Sequence, residues 1–286
     1  MGGAVMSRPS HRDGLAPGEP IPEREEQDVN AALQTYAVGL LWAFGFEAIH
    51  RAVPIVCKNM SWWKGLPDSQ AKYEARAYIT SLFHHFVAVP FSVWSLWRDA
   101  ANVNTLDLDY SGIHRKMLSF SVGFFLADTW FARAHLLKSW DYSIHHLFAL
   151  ALTWKAAGLR GGTRFLSHFL VSEITTIFLD MLWFLRKLKA EDSRAFKIIG
   201  AIFTALYAVV RVYWLPYMTW SLYADHPRAW KGLGAVAWTT VGVSALQVWW
   251  FYRIVAKFAP LLMQLFGRPS KAAAAAAATA SSVPMA

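Results

Sequence analysis

Apolar stretches about twenty residues long recur along this chain. Each is the length that an α-helix rising ~1.5 Å per residue needs to cross a hydrocarbon layer ~30 Å thick. Seven candidate spans follow, over residues 30–50, 76–97, 115–137, 141–158, 163–185, 198–222 and 233–257. The segments between them, SWWKGLPDSQ, LRGGTR and RKLKAEDSRAFK among them, are marked by Pro, Gly and charge and suit short connections in one bundle. The expectation is an all-α, polytopic membrane helical bundle of about seven transmembrane helices, one domain over 29–260. Composition agrees: 55% of the residues are hydrophobic and only 16% charged. The fourth span is short and carries polar residues, so a re-entrant or packed helix is its alternative reading.

Residues 1–28 hold six acids against three arginines, with Pro and Gly and no apolar core of signal-peptide length, and read as a solvated, disordered tail. Residues 261–286 form an alanine-rich, low-complexity tail able to extend the last helix briefly. The net charge of +9 does not point to nucleic acid, because the basic residues sit singly or in pairs at span ends instead of in one stripe. Membrane topology accounts for them. Counting places about 16 Lys and Arg on the cytoplasmic side and about 11 outside when the N-terminus is lumenal and the C-terminus cytoplasmic. Cys57 is the single cysteine, which excludes an intrachain disulfide and cysteine metal ligation.

Ionisable residues inside the spans ask for a reason, since a charge in hydrocarbon costs several kcal/mol unless it is paired or faces a polar cavity. His145 and His146 lie roughly 6–10 Å below the cytoplasmic boundary, Asp128, His84 and His85 roughly 12–14 Å, and Glu173 roughly 18 Å, at ~1.5 Å per residue. Asp180 is nearer the surface and Arg211 is near mid-bilayer, where it reads as a counter-charge for Glu173 or Asp128. These residues come from separate spans at matching depth and can form one polar layer. Helix periodicity supports an inward orientation: Ser121, Asp128 and His135 recur every seven residues, as do Glu173 and Asp180 with Thr176 between them, and Ser81, His85 and Ser92 share another stripe.

Any one of these groups can equally serve only to hold helices in register. His11, His114 and His226 read as solvent or interface residues, and the Trp and Phe excess as lipid-facing surface and interface belt. A metal is not expected. No two of the ten histidines stand three or four residues apart, the spacing that puts two imidazoles on one helix face, and adjacent histidines project about 100° apart.

From Arg76 to about Phe258 the sequence resembles the TLC domain shared by translocating-chain-associating proteins, ceramide synthases, ceroid-lipofuscinosis-type cargo receptors and several lipid-homeostasis proteins. The residues that carry the resemblance are FHHF in the second span, FFLADTW in the third, IHHLFAL in the fourth, SEITTIFLDMLWFL in the fifth and VVRVYWLPY in the sixth. Histidines His145 and His146, followed 27 residues after the second by Glu173 and then by Trp183 and Phe184, form the more specific part. The order of Asp128, the histidine pair, Glu173, Thr175 and Thr176 is most similar to the lipid-homeostasis branch. Ceramide synthases follow their histidine pair with H-D-x-x-D, where this chain has Ser172, Glu173 and Thr176.

The resemblance implies an endomembrane protein, most readily of the endoplasmic reticulum, that binds or handles acyl lipids and influences membrane lipid composition. Its partners would be membrane lipids and acyl chains, with no nucleic acid, and homo-oligomers are compatible with it. A ceramide-synthase-like acyl-CoA-dependent N-acyltransferase is the second reading. There His145 or His146 would take up a proton or the acyl group, and Glu173 or Asp128 would orient the ring. No bound cofactor is expected in either case, acyl-CoA being the co-substrate of the second. His84, His85, Thr176, Asp180 and Arg211 are the ligand-binding candidates. A trafficking or cargo adaptor is the third reading.

Overall fold

In the computed structural model, which describes residues 22–98, 112–133, 139–157 and 163–265, each expected span is occupied by helix. Helix α1 (Pro22–Cys57) is followed by the single turn α2 (Ser61–Lys64), then α3 (Ser69–Arg98), α4 (Gly112–Phe131) and α5 (Trp140–Ala157). Helices α6 (Thr163–Val171) and α7 (Ile174–Lys187) together fill the fifth span. Helix α8 (Arg194–Tyr207), a π-helical segment (Ala208–Trp214) and α9 (Leu215–Ala224) fill the sixth. The short α10 (Pro227–Leu233) and a 3₁₀ turn (Gly234–Val236) lead into α11 (Ala237–Leu265). No strand occurs among the described residues.

Among the described residues, four rods are long and apolar enough by length and composition to cross a membrane: Ala32–Cys57, Ser69–Arg98, Phe165–Lys187 and Arg194–Ala224. α4 does not need an apolar surface of that kind, because every residue from Met117 to Phe125 is buried among its neighbours. It is the central post. α1 runs parallel to it in close contact: a side chain on Gly123 would collide with Trp42 and with the Gly39 carbonyl, the small-residue approach by which membrane helices pack. Away from α4, α1 turns Leu41, Phe44, Ile55 and Val56 outward, as a lipid-facing surface requires.

Contacts along the rods show that successive ones alternate in direction. At one end of the bundle Tyr73 donates to the Phe131 carbonyl at 3.2 Å, and Gly65 lies against Leu188. At the other end Tyr36 donates to the Trp154 carbonyl at 3.0 Å, and His114 and Ser167 share a hydrogen bond at 2.8 Å. The alternation fits a polytopic chain with short connections.

Three features differ from the sequence expectation. α1 begins at Pro22, inside the stretch read as a disordered tail, and proline at a helix's first position costs nothing because its missing N–H would have no partner there. The fifth span is not one continuous helix. Ser172 donates to the Phe169 carbonyl at 2.6 Å and Thr175 to the Ser172 carbonyl at 3.0 Å, while the backbone makes tight three-residue bonds through Glu173. His114, expected at solvent or an interface, is buried, its Nδ1 paired with Ser167. The fourth span is helical as expected, α5 being a regular helix of 18 residues, and it is not one of the four rods long and apolar enough to cross a membrane. His11, His135, residues 1–21 and residues 266–286 lie outside the described residues.

Candidate functional site

The break between α6 and α7 places Glu173 at a turn in mid-rod, where its carboxylate is free of the i→i+4 constraints of a helix interior. Its Oε2 is met by three groups. His85 Nε2 lies at 3.2 Å, Arg211 Nη2 at 3.2 Å, and the Thr176 hydroxyl donates at 2.7 Å. Arg211 is carried by the π-helical segment, whose wider turn is a recurrent feature of functional positions. It also donates from Nε to Thr175 Oγ1 at 2.6 Å and from Nη2 to Thr176 Oγ1 at 2.9 Å. Its guanidinium lies 5.8 Å from the Tyr207 ring centroid, and the Tyr207 hydroxyl donates to Gln247 Oε1 on α11. α3, the start of α7 and the π segment are thereby tied through one buried ion pair, and Tyr207 beside it ties α8 to α11.

A second group lies nearer the α4–α5 end. His146 Nδ1 is 3.5 Å from Asp128 Oδ2, close enough for ionic attraction but too long for a formed hydrogen bond, and the Nδ1 atom is buried with no partner. Tyr142, one turn earlier on α5, lies with its ring 4.2 Å from that of His146. His145 Nδ1 is likewise buried and unpaired, its ring 5.2 Å from Trp250. Trp250 is itself fixed: its Nε1 donates at 2.8 Å to Asp141 Oδ2, which also accepts from Arg253 at 3.1 Å. The other Asp141 oxygen accepts from Ser139 and from the Tyr142 backbone N–H. Asp141 therefore clamps the start of α5 to α11 and sets the ring beside His145.

The two groups are close enough to act on one another electrostatically. Asp128 lies within range of His85 and Glu173, and His145 within range of Glu173 and Arg211. Asp180 is buried near Ser81, Asp128 and Glu173, with Oδ2 unpaired. Of the sequence candidates, His85, Asp128, His145, His146, Glu173, Thr176, Asp180 and Arg211 share one neighbourhood. His84 turns aside. Its ring stacks on Phe124 at 3.9 Å, its Nε2 pairs with Ser121 at 3.1 Å, and it belongs to the aromatic packing between α1, α3 and α4.

Reasoning from spans alone did not assign Tyr142, Trp250, Asp141 or Gln247 to this region. Gln247, a fully buried amide in an apolar helix, carried a signal of its own, since such a group in hydrocarbon needs partners. Among the described residues no group of three or more His, Cys, Asp or Glu side chains is placed to hold a metal ion.

A family model of the TLC domain matches residues 49–256. The chain belongs to the TLC domain family. Every candidate from His84 to Arg211 falls within the matched span. The chain is also similar to TLC domain-containing protein 4 A of Dictyostelium discoideum, 27% identical over 126 residues, which is 42% of this chain and 48% of that protein. It thus spans about half the length of the curated relative it matches. Apolar helices and TLC family membership together make it a helical membrane protein of a lipid-related family.

Proposed function

We propose that this TLC domain protein binds acyl lipids in an endomembrane, that of the endoplasmic reticulum first, and through that binding influences membrane lipid composition. The observation that carries the reading is that three of the unpaired buried polar atoms, His145 Nδ1, His146 Nδ1 and Asp180 Oδ2, belong to the polar layer inside an apolar bundle. Buried polar atoms without partners are costly, and a ligand that supplies hydrogen-bonding groups relieves the cost. A lipid head with hydroxyl, amide or amine groups does this while its chain stays in the hydrocarbon.

The His146–Asp128 pair supports a second reading, acyl transfer from acyl-CoA. An imidazole of His145 or His146 would take the proton of an attacking amine as the amine nitrogen bonds to the thioester carbonyl carbon. The carbon–sulfur bond then breaks, and the proton passes to the departing thiolate. Asp128 is the carboxylate positioned to steady a charged His146 ring, because Glu173 is occupied by Arg211 and His85.

Both readings are tested by comparing His146→Ala, His145→Ala and Asp128→Asn with wild type, by acyl transfer in vitro and by lipid analysis of cells lacking the protein. A catalytic site predicts a fall in turnover on the order of 10²–10⁴ for the essential imidazole, with the fold intact. A binding site predicts altered bound lipid or acyl profile without acyl-CoA consumption. Unchanged lipids in all three variants, with normal rescue of a trafficking defect, would discard both readings in favour of a cargo adaptor.

A further inference from the structure

At the end of the bundle away from His145, four aromatic rings gather where α9 turns into α11. Tyr223 is the last residue but one of α9, Trp238 the second of α11, and Trp230 sits on α10 between them. Their rings meet nearly at right angles: Tyr223 and Trp230 at 82° with centroids 5.4 Å apart, Trp230 and Trp238 at 79° and 5.4 Å. With Trp220 they wall a groove of about 300 Å³ whose remaining polar lining is the hydroxyls of Thr219 and Ser244. Trp220, Tyr223 and Trp238 are 65%, 52% and 63% exposed, so these side chains are accessible to a ligand.

From this geometry we infer that the groove is a docking site for a phosphocholine-headed membrane lipid, its trimethylammonium held against the aromatic faces. Orthogonal ring faces present concentrated negative quadrupole to a cation, the means by which quaternary ammonium is recognised. The lining holds no carboxylate. Its two hydroxyls are already engaged, Thr219 and Ser244 with one another at 3.3 Å and Ser244 with the Thr240 carbonyl at 2.8 Å. A primary ammonium, which needs hydrogen-bond acceptors, would leave its N–H groups unsatisfied there, whereas an N-methylated cation needs none. Lys231, exposed and following Trp230 directly on α10, adds positive charge to the same short helix, a charge that suits the phosphate of such a head group. The groove lies at the end of Arg194–Ala224, a rod long and apolar enough to cross a membrane, which sets it at the depth of lipid head groups and favours a lipid over a soluble choline compound. The inference is independent of the lipid proposed for the histidine layer.

The test offers full-length purified protein an equimolar mixture of dioleoylphosphatidylcholine and dioleoylphosphatidylethanolamine and weighs the retained lipid by native mass spectrometry. Wild type should retain the choline lipid in preference by roughly fivefold, the scale of one desolvated cation–π contact. Trp238→Leu and Tyr223→Leu, at exposed positions that leave the core intact, should bring the ratio close to parity. Trp238→Phe should keep most of the preference. Equal retention by wild type overturns the site, as does a preference that survives both leucine variants. Displacement of the lipid by an equal concentration of soluble phosphocholine overturns the assignment to a membrane lipid.

Discussion

The polar layer has two halves that differ in how fully their hydrogen bonds are made. Around Glu173 and Arg211 the ion pair is well met, one carboxylate oxygen by His85, Arg211 and Thr176 and the guanidinium also by Thr175, and the unpaired atom at its margin is Gln247 Nε2 beyond Tyr207. Around His146 the nearest carboxylate stands off at 3.5 Å, and both histidines of the pair keep an unpaired Nδ1. A saturated buried network fixes helices relative to one another, while an unsaturated one has capacity left for something else. On the lipid-binding proposal, the difference divides one cluster of conspicuous residues into a scaffold and a site.

The sharpest way to break that division is Arg211→Met. Removing one partner of a buried ion pair leaves the other uncompensated, at about 3–5 kcal/mol. The thermal midpoint of the detergent-solubilised protein should fall accordingly, while His146→Ala moves it little. Pairing Arg211→Met with Glu173→Gln should recover part of the loss, because the stranded carboxylate is then neutral. A wild-type midpoint for Arg211→Met would mean that the saturated half is not scaffold.

Asp141→Asn sharpens the comparison at the next scale. The carboxylate accepts from Ser139, the Tyr142 backbone, Trp250 and Arg253, and hydrogen bonds to a charged group contribute about 1.5–3 kcal/mol. Because Trp250 packs beside His145, the variant should lower stability by an amount in that range and also reproduce part of the lipid phenotype of His145→Ala. Lost stability with an unchanged lipid profile would show that Asp141 only fastens α5 to α11 and does not position the site.

The candidates were legible because charged and imidazole groups in twenty-residue apolar stretches are expensive and therefore conspicuous: Asp128, His145, His146, Glu173 and Arg211 stand out on that ground alone. Their division was not. The pairing of Arg211 with Glu173 rather than Asp128 depends on two backbone irregularities whose form the sequence does not dictate. AVVRVYW contains neither Pro nor Gly, but Pro216 just beyond it has no N–H to bond the Val212 carbonyl, and the segment winds as a π-helix. The fifth span breaks at Ser172 and Glu173 because hydroxyl groups bond locally to backbone carbonyls, which in another context bends a helix without interrupting it. Likewise nothing in FHHF distinguishes two adjacent histidines. Which one faces α7 and which one faces α4 is decided by a rotation of about 100° about the helix axis, set by packing against α1 and α4.

That rotation supports the smallest and most discriminating prediction, His84→Phe. His84 is fully buried, but its surroundings are those of an aromatic core residue: Phe124 stacks on it, Phe120 lies parallel at 5.3 Å, and Phe46 approaches edge-on. Its single side-chain hydrogen bond, to Ser121, contributes on the order of 1 kcal/mol, and its Nδ1 has no partner to lose. Phenylalanine keeps the stacking and removes a buried polar atom that is only half satisfied. Ser121 would be left with its weak contact to Met117 Sδ at 3.9 Å. Stability should therefore shift by about 1 kcal/mol or less, and the lipid profile should match wild type. His85→Phe, by contrast, should behave as a milder Arg211→Met, because it removes a partner of Glu173. A lipid disturbance in His84→Phe as large as that in His146→Ala would place His84 in the site and dissolve the boundary between its two halves.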